Sequence, residues 1–276
     1  MVNDITKLMS KPHPFRTTLK YVIRRFKLGT YEQRVNIEAV DRPNYAYIVY
    51  NAAALAKKLG YKRISILELG VAGGNGLVSL EEHAKQISKL FSIGIDIYGF
   101  DSGEGLPEPK DYRDLPYHWK GGFYKMDVPK LQARLQNAKL VLGDIKDTGK
   151  EFFTKYNPAP IGGIMFDLDF YSSTVEAFRM LDAEEKYFLP RVFCYFDDVL
   201  GGERELYNDY TGERLAITEF NQAHQSTKLA VGYHLLSRPI AEPWYSMIWV
   251  CHFFKHSRYN DYVGFNEEDV NLNLSS

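Results

Sequence analysis

From Lys62 onward the chain alternates short β-rich apolar runs with helical stretches, the pattern of units wound around a parallel sheet. Ile64 to Leu69, Ile95 to Phe100, Lys139 to Leu142, Gly163 to Phe166 and Val192 to Phe196 read as strands. Leu77 to Phe91, Val128 to Gln136, Thr174 to Tyr187 and Leu215 to His224 carry the spacing of helices. Two further β-like runs, Tyr233 to Leu236 and Ser246 to Phe254, follow the last helix. Seven strands ending in an antiparallel pair predict an α/β fold: a Rossmann-like, mostly parallel sheet with helices on both faces, and not the six-strand dinucleotide arrangement.

Ahead of this region, Tyr45 to Leu59 repeats apolar residues at helical spacing and stops at Gly60. Lys11 to Lys27 holds Lys11, Arg16, Lys20, Arg24, Arg25 and Lys27 with no acid, and Leu19, Val22, Ile23 and Phe26 fall near one face. This basic amphipathic helix is expected to lie on the surface or to act as an arm between copies; contact with an anionic ligand or membrane is the less favoured reading. We divide the chain into an N-terminal helical arm (1–44), one catalytic-type domain (45–265) and a polar tail (266–276). A net charge of −1 gives nucleic acid no general attraction. Cys194 and Cys251 sit in apolar runs and read as buried free thiols. The absence of a spanning run or a signal-like core places the chain in the cytoplasm.

The first strand empties into Glu68-Leu69-Gly70-Val71-Ala72-Gly73-Gly74-Asn75-Gly76, a turn at which a ligand can approach bare backbone. A dinucleotide fingerprint needs glycine at the first, third and sixth positions, but Ala72 and Asn75 stand at the third and sixth counted from Gly70. A pyrophosphate ligand is therefore disfavoured, and Glu68 suits a cationic one. Asp101, with Ser102 after it, ends the second strand, where a carboxylate can accept from ribose hydroxyls. Asp144 follows the third strand, placed to accept from an adenine amino group. Any one of these acids could simply cap a helix; three in order after one glycine-rich turn point to an adenosyl group joined to a sulfonium, as in S-adenosylmethionine.

Asp167 and Asp169 follow the fourth strand, and Asp197 and Asp198 the fifth. Paired carboxylates on the edge that carries the glycine turn repel one another unless protonated or neutralised, and a hard divalent cation such as Mg²⁺ is the economical partner.

Glu68 to Gly76, Gly99 to Pro107, Leu142 to Asp144 with Asp147-Thr148, Asp167 to Thr174 and Asp197-Asp198 together resemble the macrocin O-methyltransferase-like family over about residues 64–200. The resemblance implies a class I methyltransferase fold and an enzyme moving a methyl group from S-adenosylmethionine to a small-molecule hydroxyl, on a sugar or glycosylated natural product. It implies cofactor contacts at Glu68, Gly70, Ala72, Gly73, Asp101, Ser102, Asp144 and Asp167. It also implies Mg²⁺ on Asp167, Asp197 and Asp198. Asp169 or Asp167 is the expected base, with His118 a weaker candidate. The segment Gly201 to Gly212 carries no part of the resemblance. The long connection Ser102 to Asp127 is expected to close over the cofactor and offer aromatic surface to the acceptor; the plainer alternative is an ordered excursion packed on the sheet. Competing readings are a nicotinamide-dependent oxidoreductase and a non-catalytic binding protein on the same fold.

Overall fold

A computed structural model describes residues 14–264; Lys11 and the polar tail lie outside the described residues. Seven strands, β1 (Arg63–Leu69), β2 (Gly94–Asp101), β3 (Lys139–Leu142), β4 (Ile161–Phe166), β5 (Phe188–Phe196), β6 (Thr227–Val231) and β7 (Ile248–Phe253), form one sheet in the order β3-β2-β1-β4-β5-β7-β6. β1 to β5 run parallel, and β7 lies antiparallel to both β5 and β6.

All six residues of β4 and all but the first of β1 are buried, because helices cover both faces. On one face Ile48, Val49, Ala52 and Ala53 of α3 (Pro43–Lys58) join Leu77, Leu80 and Ile87 of α4 (Asn75–Phe91). On the other, Phe152 of α6 (Ile145–Tyr156), Phe178 of α7 (Tyr171–Phe178) and Phe220 of α8 (Gly212–Ala223) share one apolar cluster with Phe166 and Phe196. The winding reverses between β1 and β4, so the carboxyl ends of these central strands open onto a crevice. Every expected site residue except His118 lies on or just after the carboxyl end of one of the parallel strands β1 to β5.

Several expected boundaries change. Tyr233 to Leu236 is a short helix, α9, and β6 comes earlier, at Thr227–Val231. β6 is an edge strand burying only Leu229, so it lacks a clear apolar alternation. Thr174 to Tyr187 is not one helix: α7 gives way to 3₁₀ turns at Arg179–Asp182 and Glu185–Tyr187. α5 is shorter than expected, Val128–Gln132. β5 begins four residues before the expected Val192, and the register between β4 and β5 shifts across the stretch holding Pro190, which has no N–H to give a ladder.

The N-terminal helix α1 (Pro14–Arg25) buries none of its residues; Phe15 and Leu19 are exposed. Arg16 and Lys20, one turn apart, both reach Glu38 and Glu242. Beyond it α2 (Tyr31–Asn36) starts with a capping box between Thr30 and Gln33. The connection from Ser102 to Asp127 packs Leu115 and Trp119 against Phe170, as an ordered excursion would. Cys194 and Cys251 are free and buried. No helix among the described residues is long and apolar enough to cross a membrane.

Candidate active site

The glycine turn is shaped by the strand beside it. Gly70 has φ of +91°, and a Cβ there would lie 1.7 Å from the Asp167 carbonyl oxygen. The Gly70 N–H donates to the Phe100 carbonyl, and the Asp167 N–H to the Leu69 carbonyl, each at 2.9 Å. β1 thus ends locked between β2 and β4, with no room for a side chain at the turn.

Asp101 braces this turn as well as facing the cavity. Its Oδ2 accepts from the Val71 and Ala72 N–H groups at 2.9 Å each, and its Oδ1 from the Gly103 N–H at 2.7 Å. Asp144 is the N-cap of α6, accepting from the Lys146 N–H at 2.8 Å, so the capping role weighed for it is real. Ser102 donates through Oγ to the Gly105 carbonyl at 3.0 Å.

A cavity of about 660 Å³ unites these elements, lined by Gly70, Ala72, Asp101, Ser102 and Asp144 at one end and by Asp167, Asp169, Asp197 and Asp198 at the other. Glu68 and Gly73 do not line it. Glu68 lies behind the turn, 2% exposed, its Oε1 accepting from the Tyr45 hydroxyl at 2.8 Å and its Oε2 without a partner among the described residues. Burial pushes its carboxyl up to about 8 despite the Tyr45 hydrogen bond. His118 also stands off the cavity, its Nε2 3.7 Å from Glu205 Oε1.

The aspartates form a tightly held group. Asp169 takes the left-handed conformation, φ 57°, and donates its N–H to Asp198 Oδ2 at 2.9 Å. Tyr207 donates to Asp198 Oδ1 at 2.7 Å, and the Asp198 N–H donates to Glu213 Oε2 at 3.0 Å. Tyr195 donates to Asp197 Oδ1. Burial, and then repulsion from Asp198 and Asp197, pushes Asp169 up to about 8. Burial and Asp197 push Asp198 up to about 7, against the Tyr207 and Asp169 hydrogen bonds. Burial, reinforced by Asp197, Asp198 and Asp169, holds Asp167 well above the usual carboxylate range.

Among the described residues no three His, Cys, Asp or Glu side chains converge as a finished metal cage. Asp198 already spends both oxygens on protein donors and Asp197 one. The donor set nonetheless suits a hard divalent cation: oxygen only, mutually repelling, and with no cationic side chain among the described residues bonded to any of the four.

Tyr207 and Glu213 were not singled out in the sequence. Tyr207 sits where no pattern could be placed. Glu213 had a readable signal, since it shares a stripe at helical spacing with the buried Ala216, Ile217 and Phe220.

No protein-family model matches the chain, and no curated protein matches it. Among solved structures, the calicheamicin methyltransferase CalS11 is similar over 88% of this chain and 94% of its own, at 19% identity and a TM-score of 0.51. The O-methyltransferase NovP aligns over 68% of this chain and 75% of its own, at 13% identity and a TM-score of 0.49. The chain has the class I methyltransferase fold. At such identity the CalS11 likeness speaks for architecture, and it agrees with the strand order and the antiparallel β7.

Proposed function

We propose that this methyltransferase-fold chain is an S-adenosylmethionine-dependent O-methyltransferase of the macrocin-like kind, acting with Mg²⁺ on a hydroxyl of a sugar or glycosylated natural product. One observation carries the reading: a single cavity joins the bare backbone of the glycine turn to four aspartates at neighbouring strand ends. That CalS11 is named a calicheamicin methyltransferase supports a small-molecule acceptor.

S-adenosylmethionine, when bound, supplies a methyl group on a sulfonium for in-line displacement. Gly70 and Ala72 leave room for its methionine part, Asp101 accepts from ribose and Asp144 faces the adenine. Asp167, Asp197 and Asp198 would hold Mg²⁺, whose contribution is to lower the acceptor hydroxyl's pKa. Asp169, which lines the cavity beside these three aspartates, takes the hydroxyl proton. Trp119 and Tyr124, 5.9 Å apart edge to face, line the cavity and wall the acceptor ring away from water.

The test is transfer of labelled methyl from S-adenosylmethionine to a panel of sugars and glycosides, with Mg²⁺ and with EDTA. Transfer that is lost in EDTA and restored by Mg²⁺ is expected. Retention of NAD in place of S-adenosylmethionine would favour the oxidoreductase, and tight cofactor binding without transfer to any acceptor would favour a binding protein. Full transfer in EDTA would remove the metal from the mechanism.

A further inference from the structure

Tyr207 lies between β5 and α8, in the segment that no sequence pattern reached, and it is anchored from two directions. Its ring packs against the cluster of Leu115, Trp119 and Phe170. Its hydroxyl donates to Asp198 Oδ1 at 2.7 Å. Two residues earlier, the Glu205 carbonyl accepts from the Tyr117 hydroxyl at 2.5 Å, joining this segment to the 102–127 connection as a roof over the cavity.

Asp198 is therefore held by two handles of different origin. The Asp169 N–H on Oδ2 is backbone, set by the end of β4. The Tyr207 hydroxyl on Oδ1 belongs to the roof. A carboxylate turns easily about its last bond, and hydrogen bonds to both oxygens fix its plane and decide which lone pairs remain to face the cavity. Groups that orient a metal ligand without touching the metal commonly matter to affinity by about 10–100-fold.

We propose that Tyr207 is a positioning residue: from the roof, its hydroxyl fixes the Asp198 carboxylate in the orientation in which it ligates a divalent cation together with Asp167 and Asp197. The inference rests on the reading of these aspartates as a cation site. It also gives the 201–212 segment a task beyond roofing the cavity.

The experiment compares the full chain with Tyr207→Phe and Asp198→Asn, titrating Mn²⁺ and following the free ion by electron paramagnetic resonance. S-adenosylhomocysteine affinity and melting temperature are measured in parallel. Tyr207→Phe keeps the ring in its cluster and removes only the donor. Weakening of Mn²⁺ binding by about tenfold is expected, with melting temperature and S-adenosylhomocysteine affinity unchanged. Equal Mn²⁺ affinity in the wild type and Tyr207→Phe, with loss in Asp198→Asn, would overturn the role of Tyr207 and leave the cation site standing. Mn²⁺ binding absent from the wild type would overturn both. Cation affinity falling in step with melting temperature would mean that the hydroxyl serves the fold, and would overturn the assignment.

Discussion

The Asp169 N–H reaches Asp198 Oδ2 at 2.9 Å from a backbone turned into the left-handed region, φ 57°. The bend after β4 thus points a peptide donor at the carboxylate after β5, and the side chain of the same residue toward the cavity. Asparagine tolerates this conformation as well as aspartate does. Asp169→Asn should therefore keep the bend and its hold on Asp198 while removing the proton acceptor. Methyl transfer is expected to drop on the order of 10²- to 10⁴-fold, with cofactor and cation affinity retained. Steady-state kinetics with calorimetry would check this, and a variant of normal turnover would relieve Asp169 of the base role.

Asp101 holds three backbone N–H groups, two of them in the glycine turn. Hydrogen bonds to a charged group are worth about 1.5–3 kcal/mol each, so Asp101→Ala should damage more than a ribose contact. Both S-adenosylhomocysteine affinity and the urea midpoint should fall. Loss of affinity at an unchanged midpoint would show that the brace contributes little.

Gly70→Ala would force a Cβ to within 1.7 Å of the Asp167 carbonyl at a φ that L side chains rarely adopt. Backbone must move, and the collision joins the cofactor turn to the first aspartate. Destabilisation of about 3–5 kcal/mol is expected, with loss of cofactor binding in whatever remains folded. Chemical denaturation would measure it, and a cost under about 1 kcal/mol would show that the turn yields easily.

His83 is 3% exposed, meets the Tyr31 hydroxyl at 2.7 Å and the Asp41 carbonyl at 2.8 Å, and burial pushes it down to about 4. An unfolded chain protonates such a ring near 6.5. Between those values the unfolded state binds more protons, so this contribution to stability is present above about 6.5 and lost as pH falls through 4. It amounts to roughly 3 kcal/mol at most, at about 1.4 kcal/mol per unit. Melting curves of the wild type and His83→Gln from pH 7 to 4.5 should converge toward the acid end.

Glu68 runs the other way. Its carboxyl, pushed up to about 8, keeps a proton in the fold that the unfolded chain releases near 4.5. The folded state binds more protons across that window, so this contribution is full below 4.5 and lost as pH rises through 8. Glu68→Gln retains an acceptor for Tyr45 and cannot ionise, and it should flatten the decline in melting temperature between pH 6 and 9. An equal decline in both proteins would place the titration elsewhere.

The alternation of buried strands with helices announced most of the architecture, because residues buried on both faces of a sheet must be apolar throughout. The same reasoning put Asp101, Asp144, Asp167, Asp169, Asp197 and Asp198 at one edge. It stopped where burial stops: β6 covers a single residue and α9 a single leucine, so neither carries a period. The burial of Glu68 was not legible, since a strand's alternation decides which side of the turn an acid faces, and here it faces Tyr45. Tyr207 was invisible because its importance is one hydrogen bond across a loop of no regular spacing.

The N-terminal helix, none of whose residues is fully buried, is clasped by charge: Arg16 and Lys20 straddle Glu38 and Glu242, while Arg238 also reaches Glu38, at 2.8 Å. Such a clasp ties residues near one end of the chain to the connection between β6 and β7, which lie near the other. Ionic strength then becomes its control. Mobile ions screen exposed charges and reach buried pairs much less, so added salt should loosen the Glu242 pairs before those of the buried Glu38, with the apolar core intact or tighter.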